Sequence, residues 1–94
     1  MTEKFSHYDT ADYLNTSGDM ALYLEACLEE NDPALIAHAL GVIARARGMT
    51  QLAKDTGISR EDLYKTLSAD GNPEFATILK VTRALGIKLH AEMV

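Results

Sequence analysis

The most restrictive feature of this 94-residue chain is the stretch Thr50-Gln-Leu-Ala-Lys-Asp-Thr-Gly-Ile-Ser-Arg-Glu-Asp-Leu-Tyr-Lys-Thr-Leu67. Thr50 can cap a short helix over residues 51–56, and Ser59 can cap a second helix reaching about Leu67. Between them Gly57-Ile58 makes a tight turn. Leu52, Ile58, Leu63 and Leu67 supply the core of the unit, and Ala53 is small where the two helices would cross. Two short helices held at a steep angle by a glycine turn form a helix-turn-helix.

Punctuation at nearly every boundary divides the rest into short elements. Ser17 can cap a helix running to about Glu30, with Met20, Tyr23, Leu24, Cys27 and Leu28 as one buried stripe. Asp32 and Pro33 cap and open the next helix. That helix places Ile36, Ala39, Leu40, Ile43 and Ala46 on one face and ends at Gly48. Gly41 inside it costs about 1 kcal/mol relative to alanine, which close packing of a neighbouring helix would explain. Asn72-Pro73 repeats the cap-then-proline signal before a helix over residues 74–85 that buries Phe75, Ile78, Leu79 and Thr82 and stops at Gly86. Phe5–Tyr8 reads as a short strand and residues 9–14 as a brief helical turn.

The tail changes period. Ile87, Leu89, Ala91 and Met93 alternate with Lys88, His90 and Glu92, the repeat of a half-buried strand. It would pair with Phe5–Tyr8 or with the same strand of a second subunit. The expected fold is therefore all-α with a short C-terminal β-strand. Residues 1–32 form an acidic N-terminal extension of short strand and helix, 33–86 a helix-turn-helix domain, and 87–94 a strand for pairing or dimerisation.

Read around the helix that follows Ser59, Leu63, Thr66 and Leu67 share one side. Glu61, Tyr64, Lys65 and Ser68 lie opposite, with Arg60 on the N-terminal flank. Such a side suits a major groove: arginine or lysine donates to guanine O6 and N7, and glutamate accepts from cytosine N4. Base reading is assigned to Ser59, Arg60, Glu61, Tyr64 and Lys65, since the N-terminal part of such a helix reaches base edges. Arg45, Arg47, Thr50, Gln51 and Lys54 are assigned to phosphates, which fix register. The alternative is that all ten are solvated residues of an ordinary helical bundle.

The net charge of −5 conceals a division. Residues 1–32 carry Lys4 against eight acids, whereas residues 33–67 carry five bases against three acids. Segments of opposite sign suggest two surfaces with different partners. The acidic segment can equally be a solvated helix face, and the stripe from Met20 to Leu28 can be ordinary core.

Several functions find no support. His7, His38, His90 and the single Cys27 show no metal-ligand spacing, so no metal or cofactor is expected. Ser59 has no histidine base in its motif, and no phosphate loop or paired carboxylates mark an enzyme. The opening Met1-Thr-Glu-Lys-Phe lacks the basic and apolar regions of a signal peptide, and no apolar stretch is long enough to span a bilayer. A cytoplasmic protein without membrane contact is expected.

Residues 33–86 resemble the Cro/repressor-type, Xre-like helix-turn-helix in their Leu-Ala, turn glycine, capping serine and apolar residue four on. Nearly the whole chain resembles the HigA-like addiction-module antidote proteins. The carrying segments are Asp9-Thr-Ala-Asp-Tyr-Leu14, Glu30-Asn-Asp-Pro-Ala-Leu35, Ile43-Ala-Arg-Ala-Arg-Gly-Met-Thr-Gln-Leu-Ala53, Leu63-Tyr-Lys-Thr-Leu-Ser68 and Gly71-Asn-Pro-Glu-Phe-Ala-Thr77. Thr50-Gln51 runs directly into Leu52-Ala53, whereas many relatives of the wider repressor group place two more residues between. The resemblance implies a five-helix, lambda-repressor-like domain and a homodimer on double-stranded operator DNA. It further implies an antitoxin that represses its own operon and neutralises a small basic toxin of the RelE/ParE class. Glu25, Glu29 and Glu30 are then candidate toxin contacts through complementary charge. A phage-type repressor without a toxin, and an interaction module that kept the shape without DNA binding, stay open.

Overall fold

The computed structural model describes residues 16–68 and 70–94. Among them five helices follow one another: α1 (Ser17–Leu28), α2 (Pro33–Arg47), α3 (Met49–Thr56), α4 (Arg60–Thr66) and α5 (Phe75–Leu85). No strand occurs among the described residues, and none of their helices is long and apolar enough to cross a membrane. The expected strand Phe5–Tyr8 and the helical turn after it lie outside the described residues.

Caps set most boundaries. α1 is capped by Thr16, one residue before the expected Ser17, and its Oγ1 accepts from the amide of Asp19 at 3.0 Å. The helix ends at Leu28, two residues early, because Asn31 adopts a left-handed φ of 55° and turns the chain. Asp32 then accepts from the Ala34 amide at 3.0 Å, and Pro33 occupies the first turn of α2, as expected. Thr50 is not a cap: α3 already starts at Met49, because Gly48 alone carries the chain out of α2.

α2 is the centre of the molecule and packs against each of the other four helices. Ala37, Ala39, Leu40, Gly41, Val42, Ile43 and Ala44 are all buried, so α2 is enclosed around most of its girth and not along one stripe. Small side chains let neighbours approach from several sides. The closest approach is at Gly41, where a Cβ would overlap the carbonyl oxygen of Leu67 at the end of α4. A Cβ at Gly71 would likewise overlap the carbonyl oxygen of Thr66. Two glycines therefore hold the C-terminal end of α4. From α1, Met20, Leu24 and Cys27 enter the same core, whereas Leu28 is exposed.

Two expectations for the C-terminal third are corrected. On α5 the buried residues are Val81, Thr82 and Leu85, with Ile78 half-buried. Phe75 and Leu79 face outward. Residues 75, 78, 79 and 82 and residues 78, 81, 82 and 85 are both helical stripes, and packing on α2 and α3 selects the second. Thr82 is tolerated inside because its hydroxyl donates to the Ile78 carbonyl at 2.9 Å.

The C-terminal strand is absent: residues 87–94 have no regular secondary structure. α5 ends in a Schellman motif, with Gly86 donating to Arg83 at 3.1 Å and Ile87 donating to Thr82 at 2.8 Å. Ile87 packs against the core as the residue that closes this motif. Leu89 lines a cleft between helices. Ile87 is thus drawn into helix packing while Ala91 and Met93 stay exposed, and no ladder partner exists among the described residues to make the segment a strand.

The Gly41 contact yields a test. Gly41→Ala is expected to destabilise the protein by about 1–3 kcal/mol through overpacking, despite the helix propensity it gains. Gly18→Ala in the first turn of α1, where a new Cβ meets only Thr16 Oγ1 at 3.7 Å, is expected to be neutral or stabilising by up to about 1 kcal/mol. Urea denaturation of the pair checks this; equal effects would refute the close approach.

Candidate nucleic-acid interface

α3 and α4 are joined by three residues, and each part of the connection has a chemical cause. Gly57 closes α3 with φ 75° and ψ 12°, a left-handed conformation that a Cβ disfavours. Thr56, buried just before it, donates its hydroxyl to the Leu52 carbonyl at 2.8 Å and accepts from the Ile58 amide at 3.2 Å. One hydroxyl therefore ties the turn to the preceding helix. Ser59 caps α4 by accepting from the Asp62 amide at 3.1 Å, which leaves its own O–H free to donate outward. Glu61 and Asp62 in the first turn favour the helix start through its dipole.

Leu63 is 0% exposed and Leu67 3%, so two leucines fasten α4 to the body. Arg60, Glu61, Asp62, Tyr64 and Lys65 are all exposed. The five residues assigned to base reading, Ser59, Arg60, Glu61, Tyr64 and Lys65, thus occupy the exposed sides of one seven-residue helix and its cap. Ser68 does not join them: its hydroxyl turns back to donate to the Lys65 carbonyl at 3.0 Å.

The residues assigned to phosphates are less uniform. Thr50, Gln51 and Lys54 are exposed on α3, and Arg45 is exposed in the last turn of α2. Gln51 donates its side-chain amide to Asp55 at 2.9 Å, an i to i+4 bond along α3. Arg47 donates through Nη1 to the Leu85 carbonyl at 3.0 Å, so it also satisfies the end of α5. Arg47 and Gln51 meet in a hollow of about 60 Å³ with Asp55, Ala84 and Leu85. A phosphate approaching Gln51 would exchange with the Asp55 carboxylate for the amide.

Two features escape a reading of the residue pattern. Thr56 organises the turn, and its only signal is a hydroxyl just before the helix-ending glycine. The other is a cleft of about 360 Å³ among α1, α2 and α5, whose wall includes the unexpectedly exposed Phe75. Among the described residues no three His, Cys, Asp or Glu side chains gather as a metal site, and Cys27 is a buried free thiol. Arginine, lysine and hydroxyl donors beside a carboxylate acceptor, on a short exposed helix, are equipped to hydrogen-bond base edges.

Comparison with known proteins agrees in extent with the whole chain. A family model described as "Probable addiction module antidote protein" matches residues 4–93. A relative from Haemophilus influenzae, described as an uncharacterized protein, is 49% identical over 92 residues, covering 98% of this chain and 95% of the relative. No solved structure matches the chain.

The turn chemistry is testable by itself. Thr56→Val is expected to cost about 1–3 kcal/mol by leaving the Ile58 amide unpaired, and Ser59→Ala about 1 kcal/mol as a lost cap. Thr56→Ser should recover part of the first loss. A neutral Thr56→Val in chemical denaturation would show that the hydroxyl does not hold the turn.

Proposed function

Because the chain belongs to the addiction module antidote family, we propose that it is the antitoxin of a type II toxin–antitoxin module, a non-enzymatic cytoplasmic regulator that represses its own operon. In this reading residues 33–86 are a Cro/repressor-type helix-turn-helix domain, with α3 lying across the phosphates and α4 entering the major groove. The chain binds operator DNA as a homodimer and neutralises a small basic toxin of the RelE/ParE class.

The observation that carries the DNA half is the setting of α4, whose two leucines are buried while Arg60, Glu61, Tyr64 and Lys65 stand in solvent. The antitoxin half rests on the family. Two copies matter because Glu61 and Asp62 lower the affinity that the cations of one α4 can reach. A two-fold dimer would place its α4 helices about 34 Å apart, one turn of B-DNA, on a pseudo-palindromic site. Arg45, Arg47, Thr50, Gln51 and Lys54 are the proposed phosphate contacts, and Glu25, Glu29 and Glu30 face the toxin.

Footprinting on the DNA upstream of the gene is expected to show two protected half-sites one helical turn apart. Arg60→Ala and Lys65→Ala should each weaken binding by about 1–3 kcal/mol, and Lys54→Ala should lower the salt slope by about one. A salt-independent response with no footprint would overturn the DNA reading; unchanged binding in both α4 variants would place the reading face elsewhere.

A further inference from the structure

α1, α2 and α5 enclose a cleft of about 360 Å³ whose wall includes Leu28, Ile36, Phe75, Ile78 and Leu89. Its rim leaves large apolar side chains in water: Phe75 is 69% exposed, and Leu28 and Leu89 are 40% each. Apolar surface left together in this way marks an interaction site more often than scattered exposure does. The charge at its α1 end is one-sided. From Thr16 to Ala44 the chain contains Asp19, Glu25, Glu29, Glu30 and Asp32 and neither lysine nor arginine. Glu29, Glu30 and Asp32 are exposed around the turn that supplies Asn31 to the cleft wall, and exposed Glu74 lies between Pro73 and Phe75 of the same wall. The Leu89 end differs: Arg83 and Lys88 line an adjoining hollow that shares Thr82 and Leu89 with the cleft.

We propose that this cleft is the docking site for a basic segment of a partner protein, which inserts large apolar side chains among Leu28, Ile36, Phe75 and Leu89 while its cations meet the acids at the mouth. Resting on the antitoxin reading, this makes the cleft the toxin-binding site. It adds an apolar anchor to the acidic contacts at Glu25, Glu29 and Glu30. The charge complementarity selects this occupant: a second copy docked by two-fold symmetry would bring the same acids of α1 and its turn to an already acidic mouth. An anchor in a desolvated pocket ringed by charge is the usual arrangement of a dominant contact.

The test titrates the full chain with the purified product of the adjacent reading frame by calorimetry at low and moderate salt. The variants are Phe75→Glu, Leu89→Glu and the pair Glu29→Lys with Glu30→Lys. Phe75 is the first residue of α5, where a carboxylate is favourable, so Phe75→Glu is suited to leave the fold intact. Each variant is expected to weaken the complex roughly tenfold or more, and wild-type affinity should fall with salt. Melting temperature, oligomeric state and operator binding should stay at the wild-type level. Wild-type binding that all variants share would overturn the cleft while leaving the antitoxin reading standing. No binding by the wild-type chain would overturn that reading and the cleft with it. A changed oligomeric state would make the cleft an interface between copies. A lowered melting temperature for isolated Phe75→Glu would mean that another segment of this chain fills it; either result overturns the proposal.

Discussion

Everything exposed on α4 depends on the contact between Gly41 of α2 and the carbonyl of Leu67. A seven-residue helix is too short to be stable alone. Its position must come from what it rests on, and here that is the bare backbone of a central helix, with Gly71 closing on the neighbouring carbonyl. Leu63 fixes the helix laterally and the two glycines set its depth. The helix-propensity cost of Gly41, about 1 kcal/mol, is offset by packing that no residue with a Cβ permits. A shift of α4 by the width of one methyl group would re-aim Arg60 and Lys65 together.

The legible parts of this structure are those where one residue type has one local job. Asp32-Pro33, Ser59 and Gly57 act within three or four residues of themselves, and the helices they bound follow from their chemistry. Gly41 was legible for the same reason, since a glycine inside a helix demands an explanation. What was hidden is decided at long range. Two overlapping apolar stripes run along α5, and only the positions of α2 and α3 choose Val81 and Leu85 over Phe75 and Leu79. Alternating Ile87 and Leu89 satisfy a strand pattern, yet Ile87 closes the end of α5 on the core and Leu89 stands at the rim of the cleft. For the site, the polar character of α4 was readable from its wheel, but the engagement of Arg47 with Leu85 and of Gln51 with Asp55 was not. Those bonds join residues whose neighbourhood exists only after folding or through rotamer choice.

The molecule also separates its charges across a single helix. α1 and the turn after it carry only acids, α2 carries none, and the cations begin at Arg45 and continue through α3 and α4, where Asp55, Glu61 and Asp62 stand among them. α2, buried over most of its length, stands between the two fields. The buried polar groups among the described residues are the hydroxyls of Thr56 and Thr82, so no buried charge links the two surfaces. The apolar groove belongs to the acidic side and the hydrogen-bonding helix to the other.

Among the helices, α1 runs against α2 alone. The other four helices brace one another through shared neighbours, whereas α1 is held through α2 by the buried Met20, Leu24 and Cys27. Its Leu24 and Leu28 form one wall of the groove, and Phe75 and Ile78 of α5 stand on another. A ligand bridging Leu28 and Phe75 would span that seam and hold it shut. Such a ligand would couple α1 to α5, two helices that share no packing of their own.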